Sequence, residues 1–589
     1  MKRRNVFLKL IIIFIIMFQS YVYGQEYTQW QLPTGATARF GKGWVQDIEF
    51  SPLGDKLAVA TTIGVWIYDV RTGKELQLFF GLMKDAKSIS YSPGGLIIAA
   101  AHQDQSVRLW DVEGNNRRPI ATFRGHEGTI NSVVYSPDGT MIASGSSDGT
   151  IRIWNPHAVQ IDNQLVHILP YRNEITTICF SPDSRVIAGG CVDGSIRVWD
   201  TGTGREVDTF YDHLAKIEQI DFSPDGTRFI SASSDGAVIL FSLVSPAGRI
   251  SEPLMQEKAV YSLAFSQDGK SFITGGATTE VQKWSTNNGI LKQEKTLTGH
   301  KDVVRSVDVS PDGSYIASGS LDGTVRIWDA ILFRERDKLD AHTGGVRALI
   351  YTADNRIRAC GTAYDGKLRL WDAATGRQLS ILNKHSDLTN VAAFSLDGKL
   401  LASAGNKIGR IVVSISNPDQ ISELEGNPHG ITALAMSPKA TIIASGGNDG
   451  MIYLSDIETG GELGDIPGAK STITALTFVS DGVHLFSGEK NGFVRHLNTE
   501  TGEEITKFQG AFSAITALAL SRDIAYIGIG DENGTIQLYD YKNRRRIPIL
   551  TQHTRKITAL VFSDDNKTLT SGSDDGTILK FDLEEILTR

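Results

Sequence analysis

The chain has 589 residues and a formal net charge of −8, with 41% hydrophobic, 21% charged and 8% aromatic residues. That is the make-up of a soluble globular protein, and no stretch is basic enough to form a nucleic-acid footprint. Three cysteines (Cys179, Cys191, Cys360) are too few and too odd in number for a disulfide-stapled scaffold, while 59 glycines against 17 prolines predict the many tight turns of an all-β protein.

Residues 1–24 read as a secretory signal peptide. Lys2, Arg3, Arg4 and Lys9 are its positive part, Leu10 to Phe18 its apolar core, and Gly24 precedes the expected cleavage point at Gln25. The core is too short for a spanning helix of about 20 residues. An uncleaved N-terminal anchor is the alternative reading, since Val22 and Tyr23 make a mediocre cleavage site. The pair Arg3-Arg4 loosely matches a twin-arginine signal with its spacing off by one, but so apolar a core fits the general export route better. No cysteine near the boundary offers a lipid attachment point. Cleavage removes four basic residues and takes the charge from −8 to −12.

From residue 45 onward the sequence repeats itself. One unit runs Gly125-His126, then Ile130 to Tyr135, Ser136-Pro137-Asp138-Gly139, Ile142 to Gly145, Ser147-Asp148-Gly149 and Ile151 to Trp154. Three short apolar runs are thus divided by turn chemistry. Proline presets φ for the Ser-Pro-Asp-Gly turn, glycine closes it, and Asp-Gly marks a hairpin. The position of Trp154 recurs at Tyr68, Trp110, Trp199, Phe241, Trp284, Trp328, Trp371, Ser414, Ser455, Leu497, Tyr539 and Phe581, at intervals of 41 to 45 residues. A fixed period of this length, four strands per unit, signals propeller blades.

With Trp110-Asp111, Trp199-Asp200, Trp328-Asp329 and Trp371-Asp372 as its name-giving dipeptide, and Gly125-His126 and Gly299-His300 as its opening pair, the chain resembles the WD-repeat β-propeller family over about residues 25 to 589. The expected fold is all-β, with about thirteen four-stranded blades. Propellers typically close at four to eight blades, so two tandem rings are expected. The preferred division is seven plus six, at 25–335 and 336–589; six plus seven is the alternative. Tyr27 to Leu32 is expected to supply an outer strand that closes a ring.

His126, Ser144, Asp148 and Trp154 invite a nucleophilic-triad reading. The same spacing returns at His300, Ser318, Asp322 and Trp328, and at His213-Ser231-Asp235 and His553-Ser571-Asp575 with phenylalanine in the tryptophan position. An active site needs one copy. The resemblance implies a hydrogen-bonded structural tetrad inside each blade that satisfies buried polar groups. No paired-cysteine, His-Glu-x-x-His or phosphate-loop motif is present, and six of the twelve histidines (His126, His213, His300, His342, His385, His553) hold the repeat position, so no enzymatic activity, cofactor or metal is expected.

The resemblance places partner binding on the face around the central channel. Alignment on Asn131 gives Gln46, Lys87, Asn131, Thr176, Glu218, Tyr261 and Arg305 for the first ring, with Trp44, Asp85, Thr129, Glu174, Lys216, Ala259 and Val303 one step outward. The second ring reads Arg347, Asn390, Thr432, Thr474, Thr516 and Thr558, the last four each inside Ile-Thr-Ala-Leu. Those threonines suit strands, or else line a hydroxyl-rich mouth for a polar ligand. The varied inner set makes the first ring the candidate for a specific partner.

The remaining features are bland. Lys542, Arg544, Arg545 and Arg546 fall in a strand-connecting turn, and Gly189-Gly190 and Gly446-Gly447 end strands as packing features. Cys179 and Cys191 share one unit and are either two thiols or a single bridge. Asn533-Gly-Thr535 and Asn566-Lys-Thr568 are formal glycosylation acceptors, relevant only in a host that glycosylates. The expected function is a non-enzymatic scaffold for a protein or peptide partner, exported to a periplasmic, cell-surface or secreted location and of bacterial source. The alternative is a small-ligand-binding or enzymatic propeller with a channel site, for which Lys87, Glu218 and Arg305 are the polar candidates.

Overall fold

The computed structural model describes residues 36–587 apart from 41, 80–84, 115–117, 159–163, 245–247, 288, 340–345, 352–356, 363–367, 373–377, 383–388, 396–399, 406–409, 415–421, 426, 468–470, 548–549, 552 and 564. Among these residues the chain forms thirteen antiparallel sheets. Eleven have four strands, and in two the outermost strand is split into two short pieces. A five-residue helix, Leu583–Leu587, follows the last strand, and among the described residues no helix is long and apolar enough to cross a membrane.

Local chemistry dictates each sheet. In the third, Ile130–Tyr135, Ile142–Ser146, Thr150–Trp154 and Leu165–Pro170 pair in order from the inside outward. Between the first two strands, the Ser136 hydroxyl donates to Asp138 at 2.6 Å and accepts the Met141 amide at 2.9 Å, while Gly139 takes φ +74°. The side chains therefore do the turn's hydrogen bonding, and the reversal needs no help from neighbouring sheets. The same serine-to-aspartate bond recurs at Ser181-Asp183, Ser223-Asp225, Ser266-Asp268, Ser310-Asp312, Ser521-Asp523 and Ser563-Asp565.

Neighbouring sheets pack face to face through their apolar side chains. Ala143, Ile151 and Ile153 of the third sheet bury against Ile175, Ile178, Phe180 and Trp199 of the fourth. The innermost strands of the first seven sheets touch in chain order, and Val304–Val309 of the seventh returns to Val45–Phe50 of the first. There Ala317, Val325 and Ile327 join Val45, Ile48, Trp66 and Tyr68 in one core. The last six behave likewise: Val346–Tyr351 of the eighth sheet touches Ile557–Phe562 of the thirteenth.

The outer strand of the thirteenth sheet comes from the start of the described chain. Ala36–Phe40 pairs antiparallel with Ile578–Asp582, nearly the whole sequence away. The sequence placed that strand at residues 27–32, which lie outside the described residues, as do the leader residues 1–24. Pairing of the two ends covers what would otherwise be an open sheet edge.

Candidate functional site

Every innermost strand of the first seven sheets carries a register shift between its first and third residues, for example Ile130/Ser132 and Val304/Ser306. The residue inside each shift is Gln46, Lys87, Asn131, Thr176, Glu218, Tyr261 or Arg305. A bulge releases one residue from the ladder and re-aims its side chain, and here it does so at the same level of seven strands. Arg347 lies in the matching shift of the eighth sheet, though its side chain falls outside the described set. The seven positions chosen by alignment thus have a common backbone cause.

Their side chains are not equally available. Lys87 donates to the Asn131 amide oxygen at 3.0 Å, and Asn131 donates to Glu174 at 2.9 Å and to the Ile175 carbonyl at 2.8 Å. Thr176 donates to the carbonyls of Gly190 and Ile217. Glu218 accepts from Lys216 at 2.7 Å and from Ser234 at 2.5 Å. Tyr261 and Arg305 form a different unit: the guanidinium carbon sits 5.2 Å from the ring centre. Among the described residues no carboxylate lies within ion-pair distance of Arg305. Burial, first, and then the Lys216 and Arg305 cations hold the Lys87 ammonium below its usual value, with Glu174 and Asp85 opposing them. These charges therefore share one mouth.

Beneath the bulges lies a feature that the alignment missed. The next inward residue of one strand accepts a backbone amide of the following sheet: Ile89 to Asp47, Val133 to Ser88, Ile178 to Ser132, Val307 to Ser262 and Ile48 to Ser306. Two residues further on, Glu49 accepts from Tyr91, Ser90 from Tyr135, Asp221 from Phe265 and Asp308 from Phe50. Polar side chains here stitch sheet to sheet. Desolvation pushes the Asp221 carboxyl up to about 6 and that of Asp308 to about 7. Glu49 rises well above its ordinary value for the same reason, aided by the nearby Asp308 and Asp47 charges. Acidic residues alternating with apolar ones on a strand were the available signal.

The tetrads lie elsewhere, inside single sheets. His126 bonds Asp148 at 2.7 Å through Nδ1 and Ser144 at 2.8 Å through Nε2, and Trp154 Nε1 donates to the same serine at 2.8 Å. In the seventh sheet His300, Asp322, Ser318 and Trp328 repeat the chain at 3.0, 2.7 and 2.8 Å. His213-Ser231-Asp235 and His553-Ser571-Asp575 repeat the part without tryptophan. One proton arrangement satisfies every member: indole to hydroxyl, hydroxyl to imidazole, imidazole to carboxylate. The hydroxyl is buried and spent on both sides, which leaves no free nucleophile. Other sheets reach the same end differently: Asn427 donates to Asp449 at 2.7 Å, and Gln256 and Trp284 both donate to Thr274. His342 and His385 lie outside the described residues.

In the last six sheets the repeated threonines are similarly engaged. Thr432, Thr474, Thr516 and Thr558 donate to the carbonyls of Gly446, Gly488, Gly530 and Gly572 at 3.2 to 3.3 Å, and Thr432 and Thr516 also reach the next sheet at Ile473 and Ile557. Among the described residues they border a cavity of about 660 Å³, lined by small or apolar side chains such as Ala393, Ala435, Ala519 and Val561 together with Ser480, Ser521, Arg522 and Lys556. The hydroxyls thus serve the frame. Cys179 and Cys191 are both free thiols, and burial pushes Cys191 up to about 11. Among the described residues no group of three or more His, Cys, Asp or Glu side chains is arranged to hold a metal ion.

A family model described as "WD domain, G-beta repeat" matches nine segments: 82–111, 117–155, 163–200, 204–242, 253–285, 291–329, 333–372, 418–456 and 544–582. Together these cover more than half of the chain. Among curated proteins it is similar to Protein groucho of Drosophila melanogaster, 34% identical over 21% of this chain and 17% of that one. It is also similar to COMPASS component SWD3 of Saccharomyces cerevisiae, 34% identical over 20% of this chain and 36% of that one. Meiotic fizzy-related protein 1 of Schizosaccharomyces pombe is 26% identical over 48% of this chain and 66% of its own length. The chain therefore spans from under a fifth to just under two thirds of these relatives.

Proposed function

The chain belongs to the WD-repeat family, and from that premise we propose that it is an exported, non-enzymatic scaffold of two consecutive propellers that binds a protein or peptide through the mouth of the first. WD-repeat proteins typically act as interaction scaffolds. Seven and six blades, divided near residue 335, are supported by the two sets of innermost strands that each return to their own start. Export rests on the charged and apolar patterning of residues 1–24.

One observation carries the choice of site. Arg305 stacked on Tyr261 is a large, stiff cation–aromatic pair set at a bulge, with no acid of the described chain to neutralise it. Arginine and tyrosine are over-represented among residues that dominate binding energy. The threonines of the second mouth, by contrast, are bonded to the backbone. A catalytic reading has less support, because the serine–histidine–aspartate sets among the described residues recur from sheet to sheet as closed networks.

The test is capture of the tagged chain from its host's envelope fraction, with cross-linking and mass spectrometry, beside an Arg305→Glu, Tyr261→Ala variant. A companion held by the wild type and lost by the variant supports the reading. Recovery of the chain only from the cytosol removes export, and identical companions for both chains remove the first mouth.

A further inference from the structure

We propose that the mouth of the first propeller takes an extended acidic segment of a partner protein, its carboxylates on Arg305 and Lys87 and an apolar side chain against Leu214 and Val192. This rests on the reading of that mouth as the docking site and names the chemistry of what docks.

The charge argument comes first. Three cations, Lys87, Lys216 and Arg305, lie at or beside bulges of one mouth. Lys216 is already paired with Glu218 at 2.7 Å, and the remaining acids are held by other neighbours. Glu174 accepts from Asn131, Glu218 from Lys216 and Ser234, and Asp85 from Gln103 and Arg555. Among the described residues, Lys87 is left with a neutral amide oxygen and Arg305 with an aromatic face. A guanidinium stacked on a ring keeps its N–H edge for another group, and that planar fork matches a carboxylate. Glu174 and Asp85 attract the Lys87 ammonium without bonding to it, Lys216 and Arg305 repel it, and an arriving anion relieves that repulsion.

An apolar strip continues from the same rim. Leu214 is 92% exposed, Tyr211 72% and Val192 44%. The loop bearing Val192 lies on the loop bearing Leu214, because a Cβ on Gly194 would stand 2.7 Å from the His213 carbonyl oxygen and 2.9 Å from that of Ala215. The Val192 amide donates to the Glu174 carbonyl at 3.1 Å, which ties the strip to the Asn131–Glu174 edge of the mouth. Lys216 follows Leu214 by two residues and leads into the bulge at Glu218. Exposed apolar groups rimmed by charge mark interaction surfaces. A segment that alternates acidic and apolar side chains meets both features at once, whereas a nucleic acid has no use for the leucine and valine.

Fluorescence anisotropy with the chain purified from its host tests this, using labelled peptides of alternating Glu and Leu, of alternating Lys and Leu, and an oligothymidylate. The Glu–Leu peptide is expected to bind, more weakly as salt rises, and to lose at least about tenfold in affinity with Arg305→Gln or Lys87→Gln. Leu214→Ser should weaken it about threefold. Arg185→Gln, in a first-to-second-strand turn, should leave it unchanged, and unaltered melting temperatures show that each variant folds. Equal or better binding of the Lys–Leu peptide or the oligothymidylate overturns the proposal, as does wild-type affinity in Arg305→Gln. If the captured companion is lost from the Arg305→Glu, Tyr261→Ala variant but its cross-linked segment lacks acidic residues, the docking site stands and the acidic partner falls. If no companion is lost and no peptide binds, both fall.

Discussion

Arg555 grips Asp85 with both arms of its guanidinium, Nε lying 3.2 Å from Oδ1 and Nη2 bonded to Oδ2. Asp85 sits just before the innermost strand of the second sheet and Arg555 just before that of the thirteenth. Two further bonds run alongside, from Thr554 Oγ1 to the Thr62 carbonyl at 3.0 Å and from Thr62 Oγ1 to the Asp575 carbonyl at 2.5 Å. The loops that join the first seven sheets to the last six therefore include those just before the innermost strands. The Asp85 side chain is only 2% exposed and that of Arg555 32%. Arg555→Ala should leave the carboxylate buried with less compensation and cost about 1–3 kcal/mol, below the value for a wholly enclosed pair because the arginine meets water. Urea unfolding of Arg555→Ala, Asp85→Ala and the double variant measures it. A coupling near zero would show that the pair does not hold the propellers together.

The tetrads make a sharper demand on stability. Asp148 accepts from His126, from the Glu127 amide at 3.0 Å and from Thr150 at 2.7 Å. Asp148→Ala leaves these donors unmet and should cost about 1–3 kcal/mol. The native network keeps His126 neutral: burial, outweighing the Asp148 contribution, holds its imidazole below the ordinary value. An unfolded histidine takes its proton near 6.5, so the unfolded state binds more protons as the pH drops. The tetrad's stabilisation is complete above that value and declines as the medium is acidified. Thermal melting of wild type and His126→Asn at pH 8 and pH 5.5 should show the steeper loss in the wild type.

The carboxylates buried on the innermost strands act in the opposite sense. Burial, and after it the Asp221 and Asp47 charges, holds the Asp308 proton on up to about 7, whereas an unfolded aspartate loses its proton near 3.9. Between those values the folded state binds the extra proton, so stability falls as pH rises through about 7. Asp221, at about 6, and Glu49 contribute with the same sign. Asp308→Asn removes this ionisation but keeps an oxygen for the Phe50 amide. Its melting temperature should fall less than that of the wild type between pH 6 and pH 8. Equal falls would show that Asp308 ionises normally.

The repeat made the blades readable because each unit closes its own hydrogen bonds: Ser136 and Asp138 build a turn, and His126 to Trp154 a tetrad, from residues of one period. Relations between units were not readable. Asp85 and Arg555 have no periodic relation, and the closing strand is Ala36–Phe40 rather than residues 27–32 because strand propensity does not say which of two nearby segments will pair with Ile578–Asp582. Alignment on Asn131 picked one residue from each innermost strand, but not the bulge each one occupies, nor that Thr176 and Asn131 are consumed in joining blades. Substitutes such as Asn427 for a tetrad histidine were hidden, since an amide meets the same geometric need with different letters.

One glycine marks the joint between the seventh sheet and the first. A Cβ on Gly319, in the second strand of the seventh sheet, would stand 2.6 Å from Val45 Cγ1 and 3.4 Å from Ile48 Cγ2 of the first sheet. Equivalent glycines meet the first innermost residue of the next sheet elsewhere, Gly145 at Ile175 and Gly190 at Ile217. These joints follow chain order, whereas Gly319–Val45 exists only if the last of seven sheets returns to the first. Gly319→Ala should overpack this joint and cost about 1–3 kcal/mol, against less than about 0.5 kcal/mol for Gly94→Ala, where nothing lies within 4 Å. Val45→Ala makes a small cavity by itself but frees the space that a Gly319 methyl needs. The double variant should therefore be more stable than the sum of the two single losses predicts, as read from denaturant midpoints. Strict additivity would mean that these two sheets do not touch in solution, and that the first propeller closes with some other number of blades.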